Sequence, residues 1–252
     1  MNKITLITGA TAGIGLACAQ RFAKEGHDLI ITGRRKERLK EISSELQQKY
    51  GVTVLPLSFD IQIQKEVQET IESLPPEWKN IEILVNNAGL AVGLNTVQEG
   101  VIDDWERMID TNIKGLLYIS RIVTPLMIEQ GHGHVINIGS IAGKEIYPNG
   151  NVYCATKHAV DALSKTMRID LVKHGIRVSQ IAPGAVETEF SQVRFKGDTE
   201  RAKSVYKGYV PLHPDDVAEV TYYVTTMPEH VNINDLVVMP TAQASATIFN
   251  KE

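Results

Sequence analysis

Short apolar runs rich in β-branched residues recur along the chain, separated by longer stretches in which apolar residues return every three or four positions. The first pattern suits strands buried on both faces and the second suits amphipathic helices. Their alternation predicts βα units assembled into one parallel sheet with helices on both sides. Strands are expected at 4–8, 28–32, 53–58, 83–86, 133–139, 177–182 and 235–239, with helices filling most of the gaps. Helical spacing is clearest before Gly26 and in the charged stretch that ends at Gly51. His213-Pro214-Asp215-Asp216 reads as a helix start, with proline in the first turn and acids at the positive end of the dipole. Right-handed crossovers make the sheet doubly wound. No repeat, low-complexity tract or composition break marks a linker, so residues 1–252 are read as a single α/β domain.

Composition narrows the function classes. With 43% hydrophobic residues the chain can furnish a sizeable core, and a net charge of −4 offers no basic field for a phosphate backbone, which argues against a nucleic-acid partner. No run approaches the roughly 18 apolar residues of a membrane span. The start of the sequence runs straight into a strand without a signal-peptide pattern, so a soluble, cytoplasmic protein is expected. Cys18 and Cys154 stand far apart without a CxxC, which predicts buried, reduced thiols.

Candidate chemistry begins after the first strand, where Gly9, Thr11, Gly13, Ile14 and Gly15 lie in a GxxxGxG turn that opens a helix. Glycines there permit a tight turn and close backbone approach, while the helix N-terminus offers free N–H groups to a pyrophosphate. The alternative is simple strand-to-helix punctuation. The second strand runs into Gly33-Arg34-Arg35-Lys36, with no acid until Glu37. Two guanidinium groups suit a ribose 2′-phosphate, which favours NADP(H) over NAD, against the alternative of a solvated basic surface. Asp60 and Ile61 end the third strand beside the expected adenine, and Asn87-Ala88-Gly89 end the fourth, where ligands dock in open α/β sheets.

Tyr153 and Lys157 are four apart in a helical stretch and share a face, where a nearby ammonium would pull the phenol pKa down toward working pH. Ser140 follows the fifth strand and reaches the same sheet edge, either bonding a reacting oxygen or capping a helix. Asn112 is a polar residue in an apolar helical stretch, either the anchor of a water that links the lysine to solvent or a buried structural amide. His132-Gly133-His134 forms an HxH, but no further ligand stands at suitable spacing, so no metal is expected.

Residues 8–15 and 86–89, Asn112, Ser140, Tyr153, Lys157 and Pro183-Gly184 resemble, in order and spacing, the signature of the short-chain dehydrogenase/reductase family over essentially the whole chain. The resemblance implies a single-domain Rossmann fold, a homotetramer and no metal. It makes Tyr153 the proton donor and acceptor, Ser140 the group that positions the substrate oxygen, and Lys157 the ligand of the nicotinamide ribose. Asn112 would anchor the relay water. Pro183, Gly184, Val186 and Thr188 would lie beside the carboxamide.

Residues 189–209 occupy the place of the family's substrate lid, in which Arg194 or Lys196 could recognise a carboxylate. Within the family the chain looks like the NADP-dependent 3-hydroxy acid dehydrogenases, which act on serine, allo-threonine or 3-hydroxypropionate-like compounds and their 3-oxo or semialdehyde counterparts. A general aldehyde, ketone or 3-oxoacyl reductase is the enzymatic alternative, and a redox-silent NADP-binding regulator the non-enzymatic one.

Overall fold

The computed structural model describes residues 2–252, Lys203 by its backbone only. Seven strands are found where the apolar runs predict them: β1 (Ile4–Ile7), β2 (Asp28–Gly33), β3 (Val54–Ser58), β4 (Ile81–Asn86), β5 (Gly133–Ile138), β6 (Ile176–Pro183) and β7 (Asp235–Val238). They form one sheet in the order β3-β2-β1-β4-β5-β6-β7 with every pairing parallel. The largest difference from expectation is at β4, whose pairing begins at Ile81 opposite Ile4.

Helices α1 (Gly13–Lys24), α2 (Lys36–Tyr50), α3 (Gln64–Glu72), α4 (Ile102–Ile109), α5 (Leu116–Gln130), α6 (Asn151–Leu171), α7 (Phe190–Arg194), α8 (Thr199–Ser204) and α9 (Pro214–Tyr223) complete the fold. The chain enters α9 as the sequence suggests, with Pro214 in the first turn and the His213 N–H donating to Asp216 Oδ2 at 2.8 Å. Between α4 and α5 the helix widens into a π turn over Asp110–Gly115, so the three segments run as one rod.

Strand alternation divides the core. On β1, Leu6 packs with Ile30, Leu84, Ile119 and Val123 on one face, while Ile7 packs with Phe22, Leu29, Ile31 and Leu39 on the other. Consecutive strand residues point to opposite faces, so a run apolar at every position must be covered twice. β1 pairs with both β2 and β4, and the connections depart from it in opposite directions. The crevice at the C-terminal ends of these strands is where such sheets bind ligands.

The two histidines of the HxH part company: His132 is exposed, whereas His134 is buried with Nε2 2.8 Å from Ser179 Oγ. Among the described residues no three His, Cys, Asp or Glu side chains gather as a metal site, and no helix is long and apolar enough to cross a membrane. Cys18 and Cys154 are buried free thiols, the former pushed up to about 12 by burial.

Candidate active site

A cavity of about 640 Å³ opens along the C-terminal edge of the sheet. Its floor begins at the turn after β1. A Cβ on Gly15 would stand 2.4 Å from the Gly9 carbonyl oxygen and 2.4 Å from Asn87 Nδ2, so only glycine closes this turn. Gly9 itself has φ +68°, a region that side chains disfavour. Helix α1 then starts with no capping side chain and no acid in its first turn, leaving its N–H groups to an anion. Asn87 lines the cavity yet spends its amide on the turn, donating to the carbonyls of Thr8 at 2.8 Å and Gly9 at 3.2 Å. It is a fastener of the phosphate-sized cradle, a role the sequence did not announce.

At the end of β2 both arginines reach the cavity. Arg34 stands 3.7 Å from Asp60 Oδ2 and is largely exposed, and Asp60 also accepts from Gln62 N at 3.0 Å. Arg35 donates through Nε and Nη2 to Thr11 Oγ1 at 3.1 and 2.8 Å, and through Nη1 to Glu189 Oε2 at 3.2 Å. Arg35 is therefore tied to the glycine turn and to segment 189–209, and Arg34 to the end of β3. Ile61 is buried against Gly115 and contributes to the wall beside Asp60.

The catalytic candidates converge at the other end. Ser140 Oγ accepts from Ala142 N at 3.1 Å, capping the short turn Ile141–Gly143, and also bonds the Tyr153 hydroxyl, so the capping role stands beside a direct contact with the tyrosine. Lys157 Nζ donates to the Ile138 carbonyl at 3.0 Å and is buried. Burial pulls the Lys157 ammonium down to about 8. Burial likewise pushes the Tyr153 phenol up, opposed by the Ser140 hydrogen bond and by the Arg194 charge. The expected downward pull from Lys157 is thus corrected: desolvation dominates, and the cation that opposes it is Arg194.

Asn112 lies in the π turn, where its side chain is fully engaged. Oδ1 accepts from Leu90 N at 2.8 Å, and Nδ2 donates to Leu90 O at 2.9 Å and Thr156 Oγ1 at 3.0 Å. The structural-amide reading describes its side chain, which pins the segment after β4 to α6. Gly89 lies beside both groups: a Cβ there would approach Asn112 Oδ1 to 3.3 Å and Lys157 Nζ to 3.7 Å.

After β6, Pro183, Gly184, Val186 and Thr188 all line the cavity, with the Thr188 methyl facing Gly13 across it. Arg194 points inward, its Nη2 donating to the Tyr147 hydroxyl at 2.8 Å and its guanidinium lying 5.6 Å from the Tyr153 ring centre. Arg194 Nε is buried without a partner. Lys196, the other candidate, turns away to Asp104 Oδ2 at 2.8 Å and is not part of the cavity wall.

A profile of the short chain dehydrogenases matches residues 3–199 of this chain. The chain belongs to that family. It is 50% identical over 244 residues to the NADP-dependent 3-hydroxy acid dehydrogenase of Escherichia coli K12, covering 96% of this chain and 97% of the relative. It is 46% identical to sulfoacetaldehyde reductase 2 of Chromohalobacter salexigens, covering 97% and 96%. Among solved structures it is similar to the closed form of a serine dehydrogenase complexed with NADP+, with a TM-score of 0.92, 48% identity and 99% coverage of both chains.

This short-chain dehydrogenase also places residues at the site that its sequence did not single out. Tyr147, Phe190 and Tyr206 join the wall, and Gln243, Phe249 and Lys251 bring the final residues over it. Gln243 Oε1 accepts from Ala185 N at 2.8 Å, and Tyr209 packs on Phe249 with ring centres 5.0 Å apart. An aromatic in a loop carries no periodic signal, so the usable clue was the density of Tyr and Phe after residue 189.

Proposed function

We propose that this protein is an NADP(H)-dependent oxidoreductase that interconverts a small 3-hydroxy acid and its 3-oxo acid or semialdehyde. The observation that carries the reading is Arg194, a guanidinium with an unpartnered buried Nε set beside the Tyr153 ring inside the same cavity. An anionic group held there would leave a carbinol two bonds away within reach of the tyrosine, and a buried guanidinium favours a carboxylate in bidentate geometry. The cofactor half fits as well: the glycine cradle tolerates no Cβ, the α1 N-terminus carries no acid, and Arg34 and Arg35 suit a 2′-phosphate.

When bound, the nicotinamide supplies or takes the hydride. Tyr153 gives a proton to the carbonyl oxygen in reduction and takes it from the hydroxyl in oxidation, its hydroxyl aligned by Ser140. Lys157, buried beneath Gly89, places its Nζ where it would hold the nicotinamide ribose. Asn112, its side chain committed to Leu90 and Thr156, holds the loop after β4 against α6.

A second reading is favoured by the sulfoacetaldehyde reductase relative, since the same guanidinium accepts a sulfonate as readily as a carboxylate. Purified protein is to be assayed by nicotinamide absorbance with NADP or NAD. The panel holds L-serine, L-allo-threonine, 3-hydroxypropionate and 3-hydroxybutyrate, their methyl esters, and in the reverse direction sulfoacetaldehyde. Turnover of the free acids with NADP but not of the esters is the expected result. Turnover confined to neutral alcohols or carbonyls overturns the acid assignment and leaves a general aldehyde or ketone reductase. A homotetramer is proposed on the family resemblance, supported by exposed Ile109, Leu117 and Ile128 along α4 and α5.

A further inference from the structure

We propose that Asp104 is a positioning residue that sets the anion specificity of the cavity, holding Arg194 in place through Lys196. The inference rests on the reading of Arg194 as the group that receives the substrate anion.

Asp104 lies in the first turn of α4, outside the catalytic group, and is buried. A buried carboxylate needs a partner, and here the partner is Lys196 Nζ at 2.8 Å, contributed by a segment ninety-two positions away in sequence. Lys196 has φ +52°, a left-handed conformation that a residue with a side chain adopts at a cost and keeps where its surroundings over-determine it. The turn closes α7, with Lys196 N donating to the Val193 carbonyl at 3.1 Å and Gly197 N to the Gln192 carbonyl at 2.9 Å, and two contacts fasten it to α4 and to the loop after β4. One is the pair with Asp104. The other is the hydrogen bond from Gly93 N to the Arg194 carbonyl at 3.0 Å, made directly beside the Asp104 carboxylate. A Cβ on Gly93 would stand 3.0 Å from Asp104 Oδ2, so the loop after β4, the acid and the lysine close on one another without room to spare.

Arg194 is two residues before Lys196, and its own head is steered by Tyr147 and by the Tyr153 ring. The backbone of Arg194 is therefore fixed from outside the cavity by Asp104 and Gly93, and its guanidinium is aimed from inside by the tyrosines. Loss of the acid unfastens this turn from α4, which moves the guanidinium relative to Tyr153 while leaving the Tyr153, Ser140 and Lys157 contacts intact. The pairing also turns Lys196 away from the cavity, so of Arg194 and Lys196 only Arg194 faces Tyr153.

The test is steady-state kinetics with a 3-hydroxy acid at saturating NADP, together with NADPH affinity by fluorescence. The variants are Asp104→Asn, Lys196→Met, the double variant, Asp104→Glu and Arg194→Met. Lys196 is half-exposed, so its variant reports on the latch even where the change at the buried acid disturbs folding. Asp104→Asn and Lys196→Met should each raise KM for the acid roughly tenfold, with kcat and NADPH affinity little changed and the double variant no worse than either single. Asp104→Glu should restore part of the loss. KM unchanged in both single variants, or effects that simply add in the double, overturns the latch. If Arg194→Met raises KM while the Asp104 and Lys196 variants do not, the latch alone fails. If Arg194→Met leaves KM unchanged, the assignment of the anion to Arg194 fails and takes the latch with it.

Discussion

Tyr153 is placed where ionisation is hard, since burial raises its phenol while the same burial brings Lys157 down to about 8. The two shifts run in opposite directions, Tyr153 above its ordinary value and Lys157 below its own, so the phenol holds its proton more firmly than the lysine does. Oxidation needs Tyr153 to accept a proton, so kcat/KM in that direction should rise with pH toward the apparent pKa of the site, and reduction should fall over the same range. Tyr153→Phe should cut turnover by a factor of about a hundred to ten thousand while NADPH binding, followed by fluorescence, stays within a few-fold. Loss of binding together with turnover would mean that the hydroxyl holds the site together and does not carry the proton.

At the scale of elements, the first βα unit and the end of β2 are joined at the cavity, because Arg35 ties Thr11 of the glycine turn to Glu189. Arg34→Asp combined with Arg35→Ala should lower the kcat/KM preference for NADP over NAD by at least about tenfold, and an unchanged ratio would remove both guanidinium groups from the 2′-phosphate. The strands were legible because burial on both faces writes an unbroken apolar run, as Leu29, Ile30 and Ile31 show in β2. The shared face of Tyr153 and Lys157 was legible because helical spacing is local. Less was legible where contacts span the chain. Nothing in the spacing around Asn87 tells that its amide holds Thr8 and Gly9, and nothing near Arg194 or Lys196 tells which of them Asp104 claims. Gln243 reaching Ala185 is of the same kind.

At the scale of the whole molecule, the fold carries two buried histidines that cannot easily charge. His27 lies 2.8 Å from Thr5 Oγ1 and edge-on to Phe22, and burial lowers it to about 4, helped by Lys3 and opposed by Glu25 and Asp28. His134 is lowered to about 3 by burial, helped by Arg177. Both folded values lie below the ordinary histidine value, so stability is fully present above about pH 6.5 and is lost as pH falls from there toward the folded values, where the unfolded chain binds protons the fold refuses. Denaturant unfolding between about pH 7 and about pH 4.5 should show this loss, on the order of 3 kcal/mol or less for His27, and His27→Gln should flatten the dependence. A slope unchanged by that substitution would place the acid sensitivity elsewhere.

The widened turn Asp110–Gly115 has a consequence for how the chain tolerates change in length. A π turn holds one residue more than an α turn, and each residue of an α-helix advances the side chains by about 100°. The rod that begins at Ile102, with Asp104 in its first turn and the core-facing Ile119 and Val123 beyond the widened turn, therefore runs in two phases, with Asn112 at the joint. Removing a single residue from the joint would bring the two halves into one phase and rotate either the anchor of Lys196 or the apolar stripe of α5 out of register. Substitutions in this helix act one side chain at a time, but a one-residue deletion here acts on the site and the core together.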